Sequence, residues 1–198
     1  MATQGCSMTW AFRFCPEKAI QAVAFLLRRE RGHRMNYMRL LKVLYMAERE
    51  ILAESGKPLT GSRVVAMQRG PVLEDLLKLI RGEHYAVPQW SPFIQVDRYH
   101  LEMISDPGSG LLSKFVARKL EEVAKKYDDC DEWAMVAVTH SLPEWKRNDP
   151  GESSKDIPLL DILEAIGRGT DIDKIIAGAQ EDARARNFFG EPRVARSV

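Results

Sequence analysis

The chain is poor in the features that mark several common protein classes. It holds three cysteines, Cys6, Cys15 and Cys130, an odd number without regular spacing. Such a set does not make a disulfide framework, so a reducing compartment, the cytoplasm, is expected. No run approaches the roughly 18 consecutive apolar residues of a membrane-spanning helix. The opening Met-Ala-Thr-Gln-Gly has no basic region leading into an apolar one, which argues against a secretory signal. Lys and Arg number 29 against 28 Asp and Glu, a net charge of +1. The general basic excess of a nucleic-acid binder is therefore missing, although a local basic face is compatible with it. His33, His84, His100 and His140 are scattered, and neither a His-x-x-x-His nor a Cys-x-x-Cys pair occurs. A built metal site is not expected from them. There is no Walker loop and no Gly-x-Gly-x-x-Gly, so no cofactor is expected either.

What is present is helical periodicity. The length suffices for one domain with a real core. Pro16 suits a first helical position, and Ile20, Val23, Ala24 and Leu27 follow at helical spacing. Asn36 reads as the N-cap of a second helix, whose stripe of Leu40, Val43, Leu44, Ala47 and Ile51 is widened by Leu41 and Tyr45. A helix this apolar is expected to be central, and Gly56 to close it in the left-handed conformation. Val64 to Met67 predict a short strand, broken by Arg69-Gly70-Pro71, with Pro71 opening a third helix. Residues 86–104 predict one or two strands pairing with 64–67. A long helix capped by Ser109 is expected to run to Tyr127. A further helix from Asp131 carries Trp133, Val136, Ala137 and His140 on one face and ends at Pro143. Residues 147–157 read as a surface loop. Leu159 to Ile166 and the segment after Thr170 read as the last two helices. The fold class is α+β and predominantly helical: six or seven helices with one two- to three-stranded antiparallel sheet. Residues 1–15 are expected to be a flexible arm, 16–189 a single domain, and 190–198 a frayed tail.

Three segments carry a family likeness. The first is Met38-Arg39-Leu40-Leu41-Lys42-Val43-Leu44-Tyr45-Met46-Ala47. The second is Gly56-Lys57-Pro58-Leu59 followed by Val65-Ala66-Met67-Gln68-Arg69-Gly70-Pro71-Val72. The third is Val138-Thr139-His140-Ser141-Leu142-Pro143-Glu144-Trp145. In this order and at these separations they resemble the Panacea-domain antitoxins, SocA-like, over roughly residues 17–180. Arg39 stands where that family often has Lys. The resemblance implies a non-catalytic protein that binds and neutralises a cognate protein toxin. One branch also delivers its toxin to a AAA+ protease as an adaptor. Leu40, Leu44, His140, Pro143 and Trp145 are then structural motif residues.

Single residues admit a plainer and a sharper reading. Gly70-Pro71 is a strand end followed by a helix start, or a turn whose N–H groups and neighbouring Arg69 receive an acidic partner. Tyr45 is a core tyrosine or an aromatic anchor for a partner. His140 shares the apolar face with Trp133 and reads as a core histidine, since neither a nucleophile nor an orienting acid is nominated for it. Asp128, Asp129, Asp131 and Glu132 read as a solvated helix start. The candidate contact surface comprises Arg69, Gly70, Pro71 and Val72 with Tyr45 and the aromatic segment containing Trp90, Phe93 and Tyr99. The alternative is a DNA-binding autoregulator of its own operon, for which Arg28, Arg29, Arg31 and Arg34 are the dense basic candidate.

Overall fold

A computed structural model describes residues 10–189; the expected tail at 190–198 and the first nine residues of the expected arm lie outside the described residues. The helices are α1 (Pro16–Arg29), α2 (Tyr37–Ser55), α3 (Glu74–Arg81), α4 (Val87–Trp90), α5 (Lys114–Lys126), α6 (Glu132–His140), α7 (Pro143–Arg147), α8 (Leu159–Ala165) and α9 (Ile172–Phe189). The strands are β1 (Arg34–Asn36), β2 (Val64–Met67), β3 (Gly70–Leu73), β4 (Ile94–Asp97), β5 (His100–Met103) and β6 (Lys155–Asp156). The fold is α+β and predominantly helical, with two small antiparallel sheets ordered β1-β5-β4 and β3-β2-β6.

Helix α2 is the centre. Asn36 accepts hydrogen bonds from the Met38 and Arg39 amides at 2.9 and 3.4 Å, and Gly56 closes the helix at φ 71°. Between them Leu40, Leu44 and Ala47 are fully buried, with Leu41, Val43 and Ile51 nearly so. Helices α1, α5 and α6, the strand β1 and the strand β3 all pack on α2. Apolar side chains on so much of its circumference require neighbours on several sides.

Arg39 justifies its departure from lysine. Its guanidinium pairs with Glu30 at 2.6 Å and donates to the Cys130, Tyr127 and Asp128 carbonyls at 2.7, 3.4 and 3.3 Å. A planar fork reaches these acceptors together, which a lysine's point charge does not. It therefore fastens the α5–α6 connection to α2.

Several boundaries differ from the sequence expectation. Pro71 does not open a helix. It lies within β3, opposite Ala66, and α3 begins only at Glu74. A proline is tolerated there because β3 is an edge strand, where a missing N–H need not break a ladder on both sides. Residues 94–103 do pair as two strands, but with β1 and not with 64–67. The long helix starts at Lys114 under a Ser113 cap that accepts from Val116, not at Ser109. The loop at 147–157 contributes β6, which pairs with β2. Pro143 begins α7. Residues 10–15 of the expected flexible arm are packed: Phe14 is buried, Trp10 Nε1 donates to the Gly61 carbonyl at 2.8 Å and the Cys15 amide to the Thr60 carbonyl at 2.9 Å.

Replacing Asn36 by Ala removes the acceptor for two amides that helix geometry leaves unpaired. It is expected to lower the unfolding free energy by about 1 kcal/mol, read as a lower denaturant midpoint with unchanged slope.

Candidate functional site

The three family-like segments meet at the β2–β3 hairpin. Val64 to Met67 pair antiparallel with Gly70 to Leu73, both strands apolar and buried nearly throughout, and Gln68-Arg69 form the two-residue connection. Two elements hydrogen-bond to the hairpin and a third packs on it. From α2, Lys42 is 1% exposed and its Nζ donates to the Pro71 carbonyl at 2.8 Å. From α6, Thr139 is fully buried and its hydroxyl donates back to Met135 O at 2.9 Å. From α7, Trp145 Nε1 donates to Met67 O at 3.1 Å, and its ring stacks on His140 with centroids 4.0 Å apart and planes 7° apart.

Gly70 is where these groups converge. Its φ is 97°, a conformation that disfavours any side chain. A Cβ there would stand 2.7 Å from Thr139 Oγ1, 3.0 Å from Lys42 Nζ and 3.3 Å from His140 Cδ2. The glycine is thus required both by the backbone and by the space. Burial lowers the Lys42 pKa to about 7. Burial, and then the nearby Lys42 charge, also lower that of His140, opposed by a hydrogen bond to the Gln68 backbone. His140 Nε2 is buried without a hydrogen-bond partner among the described residues.

One turn along α2 from Lys42, Tyr45 is 1% exposed. Its hydroxyl donates to Glu144 Oε1 at 2.9 Å, and Arg49 Nε donates to the same oxygen at 2.8 Å. Burial, reinforced by the Glu144 carboxylate, raises the Tyr45 pKa well above its ordinary value. Glu48 lies a further turn on. It accepts from the Thr60 amide and hydroxyl at 2.9 and 3.1 Å and from the Gly61 amide at 3.3 Å. Burial pushes its pKa up to about 7 against the effect of those bonds. Polar residues on the buried face of α2 thus fasten, in order, the hairpin, α7 and the loop at 59–61.

These positions revise the sequence reading of the contact surface. Tyr45 is an internal node and Trp90 is 2% exposed, so neither is available to a partner. Gly70, Pro71 and Val72 are buried in β3, and no helix N-terminus exists there to receive an acid. Phe93 is half-buried against the core. Arg69 is exposed at the hairpin tip, and Tyr99 is 68% exposed in the turn of the other sheet. Leu40 and Leu44 are fully buried. Trp133 was expected on the buried face of α6 with His140; it is 57% exposed, and Met135 and Thr139 face inward instead. Arg69 holds its guanidinium 5.2 Å from the Trp133 ring centroid. Sequence reasoning missed this pair, and also missed Lys42, although a lysine inside an apolar stripe is a visible anomaly.

Among the described residues no group of three or more His, Cys, Asp or Glu side chains is placed to hold a metal ion. No described helix is long and apolar enough to cross a membrane. What the site offers is a hairpin whose tip carries Arg69 beside the exposed Trp133 of α6. The model of the family described as antitoxin SocA-like, Panacea domain, matches residues 40–146, from the central helix to just past Trp145, and the chain belongs to that family. An antitoxin role in general follows from it. No curated protein and no solved structure matches the chain.

Two measurements check the site. Gly70→Ala is expected to cost about 3 kcal/mol, from the strained φ and the crowding against Thr139, seen in equilibrium unfolding. The pH dependence has a definite sign. Lys42, lowered from 10.5 to about 7, makes the unfolded chain bind the extra proton between those values, so stability rises with pH there. Glu48, raised from 4.5 to about 7, makes the folded chain bind it, so stability falls across that window. Lys42→Met should flatten the alkaline rise and Glu48→Gln the acidic fall, each leaving the other limb in place.

Proposed function

We propose that this chain is the antitoxin of a type II toxin–antitoxin pair and acts in the cytoplasm by covering a cognate protein toxin. The observation that carries this reading is the exposed pair of Arg69, on a hairpin hydrogen-bonded from α2 and α7, and Trp133 of α6. Trp and Arg are enriched at interface hot spots, and a pre-ordered hairpin loses little entropy on binding. Met67 at the end of β2 and Trp145 of α7, joined by a hydrogen bond, are half-buried apolar residues of the same hairpin region. Steric occlusion needs no catalytic group. Delivery of the bound toxin to a AAA+ protease is the adaptor variant of the same reading, in which the complex presents the toxin for unfolding.

The DNA-binding alternative finds less support. Arg28 pairs with Asp106 at 3.3 Å, Arg29 with Glu121 at 2.5 Å and Arg34 with Asp97 at 2.7 Å. Most of the basic cluster that a phosphate backbone would need is therefore matched by the protein's own carboxylates.

The test is co-expression with the product of the adjacent gene, scored by growth and by co-elution on a sizing column. The neighbour is expected to be toxic alone, harmless with this chain, and to co-elute with it. A neighbour that is harmless by itself, or toxic regardless and never co-eluting, refutes the reading. Within a rescued pair, Trp133→Ala and Arg69→Glu should each weaken the complex by about 2 kcal/mol or more, roughly thirtyfold in Kd, without lowering the thermal midpoint of the free antitoxin. Addition of an ATP-dependent protease with a stoichiometric complex reads the adaptor variant: faster toxin loss in the presence of this chain supports it, and protection refutes it.

A further inference from the structure

A second surface lies away from the hairpin. The segment 11–18, the loop at 55–61 and helix α9 enclose a groove with a cavity volume of about 810 Å³. That is within the roughly 300–1,000 Å³ typical of built ligand sites. Two of its three walls lie outside residues 40–146, the stretch that the family model matches. Its apolar lining comprises the buried Leu59 and Ile175, which form the floor, and the half-buried Phe12, Leu111 and Ala179. Arg13, Lys18, Lys57, Arg168 and Lys174 are its basic lining residues and Glu17 and Asp182 its acidic ones. For a chain whose net charge is +1, this concentrates positive charge at one place.

The charges differ in how they are held. Arg168 is committed to the fold, with Nε on Asp171 at 2.9 Å and Nη1 near the Leu52 and Ala53 carbonyls at 3.4 and 3.3 Å. Lys18 and Lys174 form no ion pair among the described residues. Lys57 reaches across the groove to Asp182 of α9 at 2.6 Å, both side chains largely exposed. An exposed pair of this kind is worth little and is readily exchanged for another carboxylate. Beyond Ile172 and Ile175, which are buried, α9 keeps Gly178 and Ala179 half-buried and Ala183 exposed along this wall. Small residues there leave room for side chains from outside.

We propose that this groove binds an acidic peptide segment carrying alternate apolar residues, supplied by a partner protein. Its apolar side chains would fill the floor over Leu59 and Ile175. Its carboxylates would meet Lys18 and Lys174 and displace Asp182 from Lys57. A nucleic acid would meet the cations but leave the apolar floor unused, and so fits less well. The proposal is independent of whether the partner is a toxin.

The experiment is fluorescence anisotropy with the full chain and a short labelled peptide alternating Glu and Leu. A saturable rise is expected, weakened by added salt and absent with a peptide alternating Lys and Leu. Lys57→Glu combined with Lys174→Glu should weaken binding by about tenfold or more. Ala179→Trp, which fills the groove without changing charge, should do the same. Circular dichroism and thermal unfolding would confirm that each variant is folded. The proposal is overturned if the acidic peptide does not bind, if both peptides bind alike, or if folded variants bind it unchanged. It is equally overturned if dodecanoate binds and the peptide does not, since the groove would then serve a small amphiphile.

Discussion

A buried lysine amine donating to one carbonyl oxygen ties the central helix to the β2–β3 hairpin. Lys42 sits on a helix that is otherwise apolar on the same face, and its donation to the Pro71 carbonyl ties that helix to an edge strand. An isolated buried amine is costly, and the cost is limited here by a lowered proton affinity. The consequence is geometric. With Pro71 held against α2, Gly70 is pressed against Thr139 and His140, and the hairpin has one position relative to α6 and α7. The exposed Arg69 at the hairpin tip is thereby brought within 5.2 Å of the Trp133 ring centroid on α6.

The same helix repeats the device at intervals of three to four residues. Lys42 holds the hairpin, Tyr45 and Arg49 hold Glu144, and Glu48 holds the loop at 59–61. Each polar group reaches a different neighbour because successive residues on one helical face point along its axis. Hydrophobic burial alone would bring these neighbours to α2 but would not select their register, since apolar contact is non-directional. Hydrogen bonds to buried groups are costly to leave unmade, and they supply the selection. The proposed contact residues, Arg69 and Trp133, are then ordered before a partner arrives.

The core was more legible in the sequence than the surface. The apolar stripe of α2, the Asn36 cap, the Gly56 stop and the strand at 64–67 follow from local periodicity and local hydrogen-bonding chemistry. The error at Pro71 has the same local origin. A proline after glycine suits a helix start and an edge strand equally, and only the pairing of Ala66 with Pro71 separates them. The inward faces of α6 were exchanged for a related reason. That helix is short and apolar nearly all round, so its period does not say which side meets the protein. Met135 and Thr139 face inward because the hairpin lies there, which leaves Trp133 to solvent. For the same reason the aromatic residues at 90–99 were not separable by type: Trp90 is core and Tyr99 is not.

By itself, the sequence determined the helical class, the central helix with its caps, and the family likeness, because each rests on residues close together in the chain or on ordered motifs. It also contained Lys42, Glu48 and Glu144, whose charges in or beside apolar runs require partners. Which partners they take is a matter of contacts between residues far apart in sequence, and so was decided only by the tertiary structure. The split into two sheets, the outward turn of Trp133 toward Arg69, and the basic groove under α9 are of that kind. Long-range packing chooses among alternatives that local preferences leave nearly equal in energy, and the surface a partner meets is composed of those choices.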